Sequence, residues 1–449
     1  MAQQQRPQPG QGRVTRRDLL RTSAALGVGG LALGAVAGYG VSTVVRGGAT
    51  TGPGSQNLPP IKVVGIIGLQ GVMAADGKEI HNGTVMAIDE INELGGVLGH
   101  KLQYVEIDDG QSSADEVTTA FNRAIDVEKP DVIFSGYHLG TGPEFDILAK
   151  AGILYYNGNT QQRWTDRYVK DPQKYWSIFQ TDPNDTQYGK GFALFLDNLV
   201  KSGQYKPKEK TAAILYGNDA YDTWIAQNFE ETAKSLGWTI TNKADFTAGQ
   251  VTDWGPLLSK IRDNPPAIIF NTDYVPAECA SLAKNIAANP MPTLLYEQYG
   301  PSVPEFLQLA GPAANGVIWA TVLGRFNDAM GKDFVERYRK KFNQEPGWAY
   351  SSGNYDSVWF WAKSAMMAGD YKDYRRVAMM SERLIHRGIS GSLRMVNHTG
   401  VAYPGETNDP SLGQAHIVVQ VQDGVHKIIY PTPWNDEGAA FQLPPWMKG

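Results

Sequence analysis

Residues 61–110, IKVVGIIGLQGVMAADGKEIHNGTVMAIDEINELGGVLGHKLQYVEIDDG, decide the fold of this chain. Residues 63–67 are apolar and partly β-branched and end at Gly68, which predicts a buried strand. A helix follows, because apolar and small residues recur at helical spacing on one face, namely Ile80, Gly83, Ala87, Ile88, Ile91 and Leu94. Gly95 and Gly96 predict its end, and residues 102–107 predict a second strand. This β-α-β unit places its two strands side by side and parallel.

The same stretch resembles the start of a known family. After the first strand come GLQG at 68–71 and NGTVMAIDEINELGGVLGHKLQYVEIDD at 82–109. These segments resemble type I periplasmic solute-binding proteins, and more narrowly the branched-chain amino acid and amide-binding receptors of ABC transporters. The resemblance extends to about residue 430. It implies an α/β fold of two doubly wound, Rossmann-like lobes joined by a hinge of several crossovers.

The order of elements suggests where the two lobes lie. Alternating strands and helices start again at Thr211, so two α/β lobes of similar size fit the length of 449 residues. The resemblance implies that the chain crosses between the lobes several times. On that basis we expect residues 61–183 and 321–390 to form lobe one, and residues 184–320 and 391–449 to form lobe two.

The first 60 residues predict export. TRRDLLR at 15–21 resembles the twin-arginine motif, and a Gly/Ala-rich apolar run follows to Ala37. We therefore expect residues 1–37 to be a twin-arginine export signal, with cleavage after Ala35-Val36-Ala37, and residues 38–60 to be a flexible linker. The alternative is a retained membrane anchor, because apolar character continues through residues 39–45. Either way the expected location is the periplasm or the cell surface.

Composition excludes several classes of function. Without the first 37 residues the chain keeps 36 basic and 45 acidic residues, a formal charge of −9, and this acidic body argues against nucleic-acid binding. The lone cysteine, Cys279, excludes an internal disulfide and is expected to be a buried thiol. The seven histidines show no metal-ligand spacing, and no nucleophile elbow, P-loop or HExxH motif is present. We expect no enzyme activity, no metal and no cofactor.

Candidate ligand-binding residues follow from the predicted strands. In open parallel sheets, ligands bind beyond the carboxyl ends of the strands. Those positions fall in loops 68–73, 135–142 and 157–160 of one lobe, and in loops 217–222, 271–274 and 297–300 of the other. The candidates are Gln70, His138, Thr141, Asn159, Thr160, Tyr221, Asp273, Tyr274 and Glu297.

The resemblance assigns roles to some of these candidates. In amino-acid receptors of this family, hydroxyl side chains and backbone N–H groups of lobe one hold the ligand carboxylate, and Thr141 and Thr160 match those positions. An aromatic side chain and an acid of lobe two hold the amino group. Tyr221 matches the aromatic side chain, and Asp273, Tyr274 and Glu297 fall near the other contact loops. Residues 137–140 depart from the serine-rich loop of branched-chain amino acid receptors, so an amide or urea-like ligand stays open beside an amino acid.

The resulting hypothesis is an extracytoplasmic receptor of an ABC importer. It would bind a small polar solute between its lobes, work as a monomer and present its closed form to membrane permease subunits. A sensor of the same fold, reporting an amide to a regulatory partner, is the first alternative. An exported hydrolase is the second, and it would need a nucleophile or metal set that the sequence does not show.

Overall fold

The computed structural model describes residues 58–140 and 142–448, so the predicted export signal and most of the predicted linker lie outside the described residues. The strands are β1 Ile61–Ile67, β2 Leu102–Asp108, β3 Val132–Ser135, β4 Leu154–Asn157, β5 Ile178–Gln180, β6 Thr211–Gly217, β7 Thr239–Phe246, β8 Ile268–Asn271, β9 Leu294–Glu297, β10 Ile318–Thr321, β11 Ile385–Gly388, β12 Gly391–Val396, β13 Thr399–Gly400, β14 Ala402–Tyr403, β15 Gln414–Ala415, β16 Ile417–Gln422 and β17 Val425–Tyr430.

Helices alternate with these strands. They are α1 Ala74–Glu93, α2 Ala114–Arg123, α3 Pro143–Ala151, α4 Gln162–Lys170, α5 Thr186–Lys201, α6 Ala220–Ser235, α7 Gly255–Arg262, α8 Pro276–Ala288, α9 Pro304–Ala310, α10 Ala329–Phe342, α11 Tyr350–Ala368 and α12 Tyr374–Arg383. A capping box of Ser113 and Glu116 opens α2. Gly95 and Gly96 follow α1 with positive φ, as the sequence predicts.

Two sheets organise the fold, and each defines a lobe. Lobe one is built on the order β14-β15-β12-β13-β5-β4-β3-β1-β2, with β11 paired to β12. Lobe two is built on β17-β16-β10-β9-β8-β6-β7. In both, the central strands run parallel, and β1 and β2 are parallel neighbours as predicted. The prediction of two doubly wound α/β lobes is confirmed.

The chain passes between the lobes at three described places. It leaves the first sheet after β5 and enters α5, which packs in the core of lobe two. It returns after β10 to α10 and α11, whose Phe334, Tyr338 and Trp361 join the core of lobe one. The third passage lies between β15 and β16.

This third passage differs from the expectation of a crossing near Gly391. Strands β12 to β15 extend the first sheet instead, with Thr399 paired in parallel to Gln180 at the edge of β5. The chain reaches the second sheet only at Ile417, where β16 pairs antiparallel with β10. The physical reason is the open edge of β5, whose unpaired backbone groups accept further strands. Nothing in the sequence pattern marks which sheet residues 391–415 will join.

Helices α1 and α11 form the closest helix contact of lobe one. Gly83 permits it, because a Cβ built at Gly83 would collide with the backbone oxygen of Ser351. Trp361 of the same helix pair is buried against Phe134, with ring centroids 5.9 Å apart. The aromatic residues of α11 therefore belong mainly to the core, as the sequence suggests.

Two further predictions concern single features. Cys279 is free and buried, and its Sγ donates to the backbone oxygen of Asp273 at 3.3 Å. The C-terminal tail packs on lobe two, where Trp446 Nε1 donates to Thr293 O at 2.9 Å. Within residues 58–140 and 142–448, the helices are all too short or too polar to span a bilayer.

Candidate ligand-binding site

A cavity of about 450 Å³ lies between the two lobes, at the carboxyl ends of their parallel strands. Its lobe-one wall comes from the loops after β3 and β4 and from the start of α4. Its lobe-two wall comes from the loops after β6, β8 and β9 and from α5 and α6. The position agrees with the rule that ligands bind beyond strand ends in open α/β sheets.

Five of the predicted site residues share this cavity. They are His138, Asn159, Thr160, Tyr221 and Tyr274. The first three come from lobe one and the last two from lobe two, so the strand-end rule brought together residues that are far apart in sequence. Their contact with a ligand stays a prediction.

The other predicted residues lie elsewhere. Gln70 is exposed, and its Nε2 donates to Asp108 Oδ2 at 2.9 Å. Asp273 is buried below the cavity wall, where its Oδ1 accepts from Val275 N at 2.8 Å. Glu297 is also buried, and its Oε2 accepts from the Asn271 amide at 2.7 Å. The Asp273 and Glu297 side chains turn toward local donors, because burying a carboxylate without a hydrogen-bond partner is unfavourable in free energy. Thr141 lies outside the described residues.

Six tyrosine rings line the cavity, and four of them were not among the sequence candidates. Tyr137 stacks on Tyr350 with ring centroids 5.2 Å apart, and Tyr299 meets Tyr350 edge-on at 5.9 Å. On the other side, Tyr221 meets Tyr188 at 6.1 Å and Tyr274 at 6.0 Å, both edge-on. These six rings, together with Trp224, give the cavity an aromatic lining.

Two of the four tyrosines that were not among the candidates could have been predicted from the sequence, and the other two could not. Tyr137 adjoins His138 and Tyr299 lies in the loop after β9, so the strand-end rule covers both positions. Tyr188 and Tyr350 instead lie at the starts of α5 and α11, the first and second helices after the chain changes lobe. Their place in the cavity depends on the hinge geometry, for which the sequence offers no signal.

Asp185 is the buried acid of this cavity and was also missed. It lies just before α5, 4 % exposed, and its Oδ1 accepts from Gln162 N at the start of α4 at 3.2 Å. Its own N–H donates to Thr160 O at 2.5 Å. Burial raises the pKa of Asp185 to about 7. Lobe-two and lobe-one segments are thus joined directly at the cavity floor.

Thr160 carries backbone strain at the same place. Its φ of 42° lies in the left-handed region, which β-branched residues rarely adopt. Such strain persists only where the surrounding structure fixes it, and it concentrates at functional sites. Here the hydrogen bond from Asp185 N fixes the carbonyl of Thr160. The strained residue therefore supports a functional role for this wall of the cavity.

His138 is held in one orientation from behind. Its Nδ1 lies 2.8 Å from Asp109 Oδ2, and Ser112 Oγ donates to the same oxygen at 2.8 Å. The Phe121 ring packs edge-on against the imidazole at 5.5 Å. Burial favours the neutral carboxyl of Asp109, but the hydrogen bond and charge of His138 outweigh it and lower the pKa of Asp109. Asp109 positions His138, beyond the turn role that the sequence suggested for it.

A hydrogen bond links the two lobes beside the cavity. Asp76 on α1 of lobe one accepts from Tyr137 Oη at 2.8 Å and from Tyr299 Oη of lobe two at 3.2 Å. Burial raises the pKa of Asp76 to about 6, against the opposite effect of the two hydroxyls. The Tyr299 contact joins one lobe to the other.

Comparison with known proteins agrees with this geometry. A profile of the periplasmic binding protein family matches residues 60–399. A Leucine-, isoleucine-, valine-, threonine-, and alanine-binding protein of Pseudomonas aeruginosa is 26 % identical over 302 residues, which cover 67 % of this chain and 76 % of that protein.

Solved structures share the fold. A structure from Silicibacter pomeroyi, of a candidate branched-chain amino acid ABC transporter, is 34 % identical with a TM-score of 0.80, covering 86 % of this chain and all of the other. A branched-chain amino acid transporter substrate-binding protein from Streptococcus pneumoniae, solved with isoleucine, is 20 % identical with a TM-score of 0.68, covering 83 % and 100 %. This chain belongs to the periplasmic binding protein family, in the type I group of branched-chain amino acid-binding proteins of ABC transporters.

Proposed function

We propose that this protein is the extracytoplasmic receptor of an ABC importer and captures a small polar organic solute between its lobes. The observation that carries the proposal is the cavity of about 450 Å³, whose walls come from both lobes. Pockets of this size suit small organic molecules. Because both lobes contribute, a bound solute contacts its full set of partners only when the lobes are closed.

Closure couples binding to delivery without chemistry on the ligand. A solute that touches both walls binds the closed form more tightly than the open form and shifts the population toward it. The Asp76–Tyr299 hydrogen bond is made in this closed arrangement. The closed lobes then present one joined surface, which we infer to be the form recognised by a permease.

Candidate solutes are amino acids, amides, urea-like compounds and amines. The names of the relatives favour small amino acids, since the Pseudomonas protein is named for five of them. The departure of residues 137–140 from a serine-rich loop widens the range. The cavity itself supports a ligand with both a polar group and a face that can lie against tyrosine rings.

The test is a thermal-shift panel of these solutes on folded protein, followed by calorimetry and small-angle X-ray scattering. We expect at least one solute to raise Tm, bind with a stoichiometry of one and reduce the radius of gyration. The variant Tyr221→Ala should lose this binding. The matched control is Tyr216→Ala, since Tyr216 lies on β6, five residues before Tyr221, and outside the cavity wall. If no solute stabilises the protein and none co-purifies with it, the receptor proposal fails.

Export and delivery are tested in cells. The family is extracytoplasmic, and we propose the twin-arginine route for this chain because of residues 15–21. Replacing both Arg16 and Arg17 by Lys should leave the protein in the cytoplasm, whereas Arg13→Lys, outside the motif, should not. Deleting the gene should abolish uptake of the bound solute. Uptake that continues unchanged would contradict a transport role and leave the sensor alternative.

A further inference from the structure

Three lobe-one N–H groups beside the cavity are already paired within the protein. His138 N donates to Asn159 Oδ1 at 2.9 Å, and Gln161 N donates to Gln180 Oε1 at 2.9 Å. Gln162 N, at the start of α4, donates to the carboxylate of Asp185 at 3.2 Å. A helix N-terminus attracts an anion, but here a carboxylate of the protein itself occupies that position. A second carboxylate would meet the negative charge of Asp185.

The charged residues that line the cavity also disfavour a ligand carboxylate. Among the described residues that line it, Asp166, Asp185 and Asp219 are acids, and Arg163 is the one lysine or arginine. Arg163 is exposed, and its Nε donates to Gln161 Oε1 at 2.7 Å. Behind the tyrosine layer lies another buried acid, Asp76. An organic cation is therefore favoured over an anion inside this cavity.

The rings supply the rest of a cation site. The faces of tyrosine and tryptophan rings attract ammonium groups, and several rings around one position form an aromatic cage. Six tyrosines and Trp224 line the cavity, and the tyrosine rings contact one another in two groups of three, with centroids 5.2–6.1 Å apart. Burial keeps the pKa of Asp185 near 7, and a neighbouring cation would stabilise its ionised form.

We propose that the solute is a protonated organic amine without a free carboxylate, with its ammonium group between the tyrosine rings and Asp185. This inference rests on the proposed function and narrows its ligand class. It departs from α-amino acids, because three lobe-one N–H groups at the cavity are paired within the protein and the Asp185 carboxylate already lies at the start of α4.

The experiment compares matched solutes by calorimetry on the full folded chain. One series shares the leucine skeleton: 3-methylbutylamine, 3-methylbutanamide, 3-methylbutanoate and leucine itself. The second shares the phenylalanine skeleton: 2-phenylethylamine, 2-phenylacetamide, phenylacetate and phenylalanine. We expect at least one amine to bind about tenfold or more tightly than the acid and the amino acid of its series, since one charge-assisted contact is worth that factor. Native mass spectrometry of protein purified from its host identifies any solute that co-purifies.

The variant Asp185→Asn separates charge from structure. Its side-chain oxygen can still accept from Gln162 N, so the floor of the cavity is kept. We expect amine affinity to fall about tenfold or more, with amide affinity unchanged. The control is Asp197→Asn, an acid paired with Lys201 and Lys210 outside the cavity, which should leave both affinities unchanged.

The outcomes separate the inference from the proposed function. Tighter binding of an amino acid or a carboxylate than of its amine overturns the amine assignment but leaves a receptor. A co-purifying solute that lacks an amine, or a panel in which no amine binds, does the same. Absence of any bound solute in both experiments would remove the receptor proposal as well.

Discussion

The hydroxyl of Tyr299 offers a direct test of how the lobes close. It donates to Asp76 of the other lobe at 3.2 Å, so Tyr299→Phe deletes one inter-lobe hydrogen bond and keeps the ring in the wall. The open form cannot make this bond. The change therefore destabilises the closed form relative to the open form and weakens ligand binding through that equilibrium.

The size of the effect depends on the charge of Asp76. Burial, opposed by the hydroxyls of Tyr137 and Tyr299, puts the pKa of Asp76 at about 6. At pH 7.5 the hydroxyl bonds an ionised carboxylate, and the 3.2 Å separation places its contribution at the low end for such bonds, about 1.4 kcal/mol or about tenfold in Kd. At pH 5 the carboxyl is protonated, and a neutral bond contributes about 0.7 kcal/mol, or about threefold.

The assay is calorimetric titration at pH 7.5 and pH 5 with the solute that the panel identifies. The control is Tyr205→Phe, which removes a hydroxyl that donates to Ala267 O at 2.7 Å inside lobe two. We expect that variant to lose about 1 kcal/mol of unfolding free energy without a change in Kd. Equal Kd values for Tyr299→Phe and the unaltered protein would refute the closure argument, and so would an equal loss of affinity in Tyr205→Phe.

Three further predictions concern stability. Burial raises the pKa of Asp182 from 3.8 to about 7, so between these pH values the folded state keeps a proton that the unfolded state has lost. The unfolding free energy should therefore fall as pH rises from about 4 to 7. Urea titrations should show a smaller fall for Asp182→Asn, and an equal pH dependence in the two proteins would contradict this assignment. Trp361→Ala should cost about 3–5 kcal/mol by opening a cavity in lobe one, and a loss below 1 kcal/mol would show that the site collapses. Gly83→Ala should lower the unfolding free energy by about 1–3 kcal/mol, because the new Cβ would collide with a backbone atom. In the control Gly255→Ala the new Cβ meets only the exposed Asp253 side chain, so the loss should be smaller. Equal losses of unfolding free energy would argue against the helix contact.

Local patterns predicted the fold because each one agreed with its neighbours. The apolar run of β1, the helical spacing of α1 and the glycines at 95 and 96 all point to one β-α-β unit, and the structure has that unit. The segment 391–415 has no comparable signal. Its strands are two to six residues long, and the edge that they join is set by the tertiary structure.

The cavity was predictable where it follows from strand ends alone. His138 and Asn159 lie in loops after strands, and Tyr221 lies in the first turn of α6 after β6, all at the edge where a parallel sheet binds its ligand. Asp273 and Glu297 occupy similar positions, but local hydrogen bonds direct their carboxyls into the protein. The choice between cavity and interior depends on side-chain geometry of a few ångströms, which spacing in the sequence does not encode.

The pairing of β13 with β5 also affects the order in which the lobes fold. His398 Nδ1 lies 2.8 Å from Ile178 O, a contact between residues 220 positions apart. Contacts between residues so far apart in sequence form slowly, because closing a long loop loses chain entropy before the contact contributes any stabilisation. Most of lobe two, from α5 to β10, is one continuous segment. We therefore expect a core of lobe two to fold first during synthesis, and lobe one to complete its sheet only after residue 400 has left the ribosome.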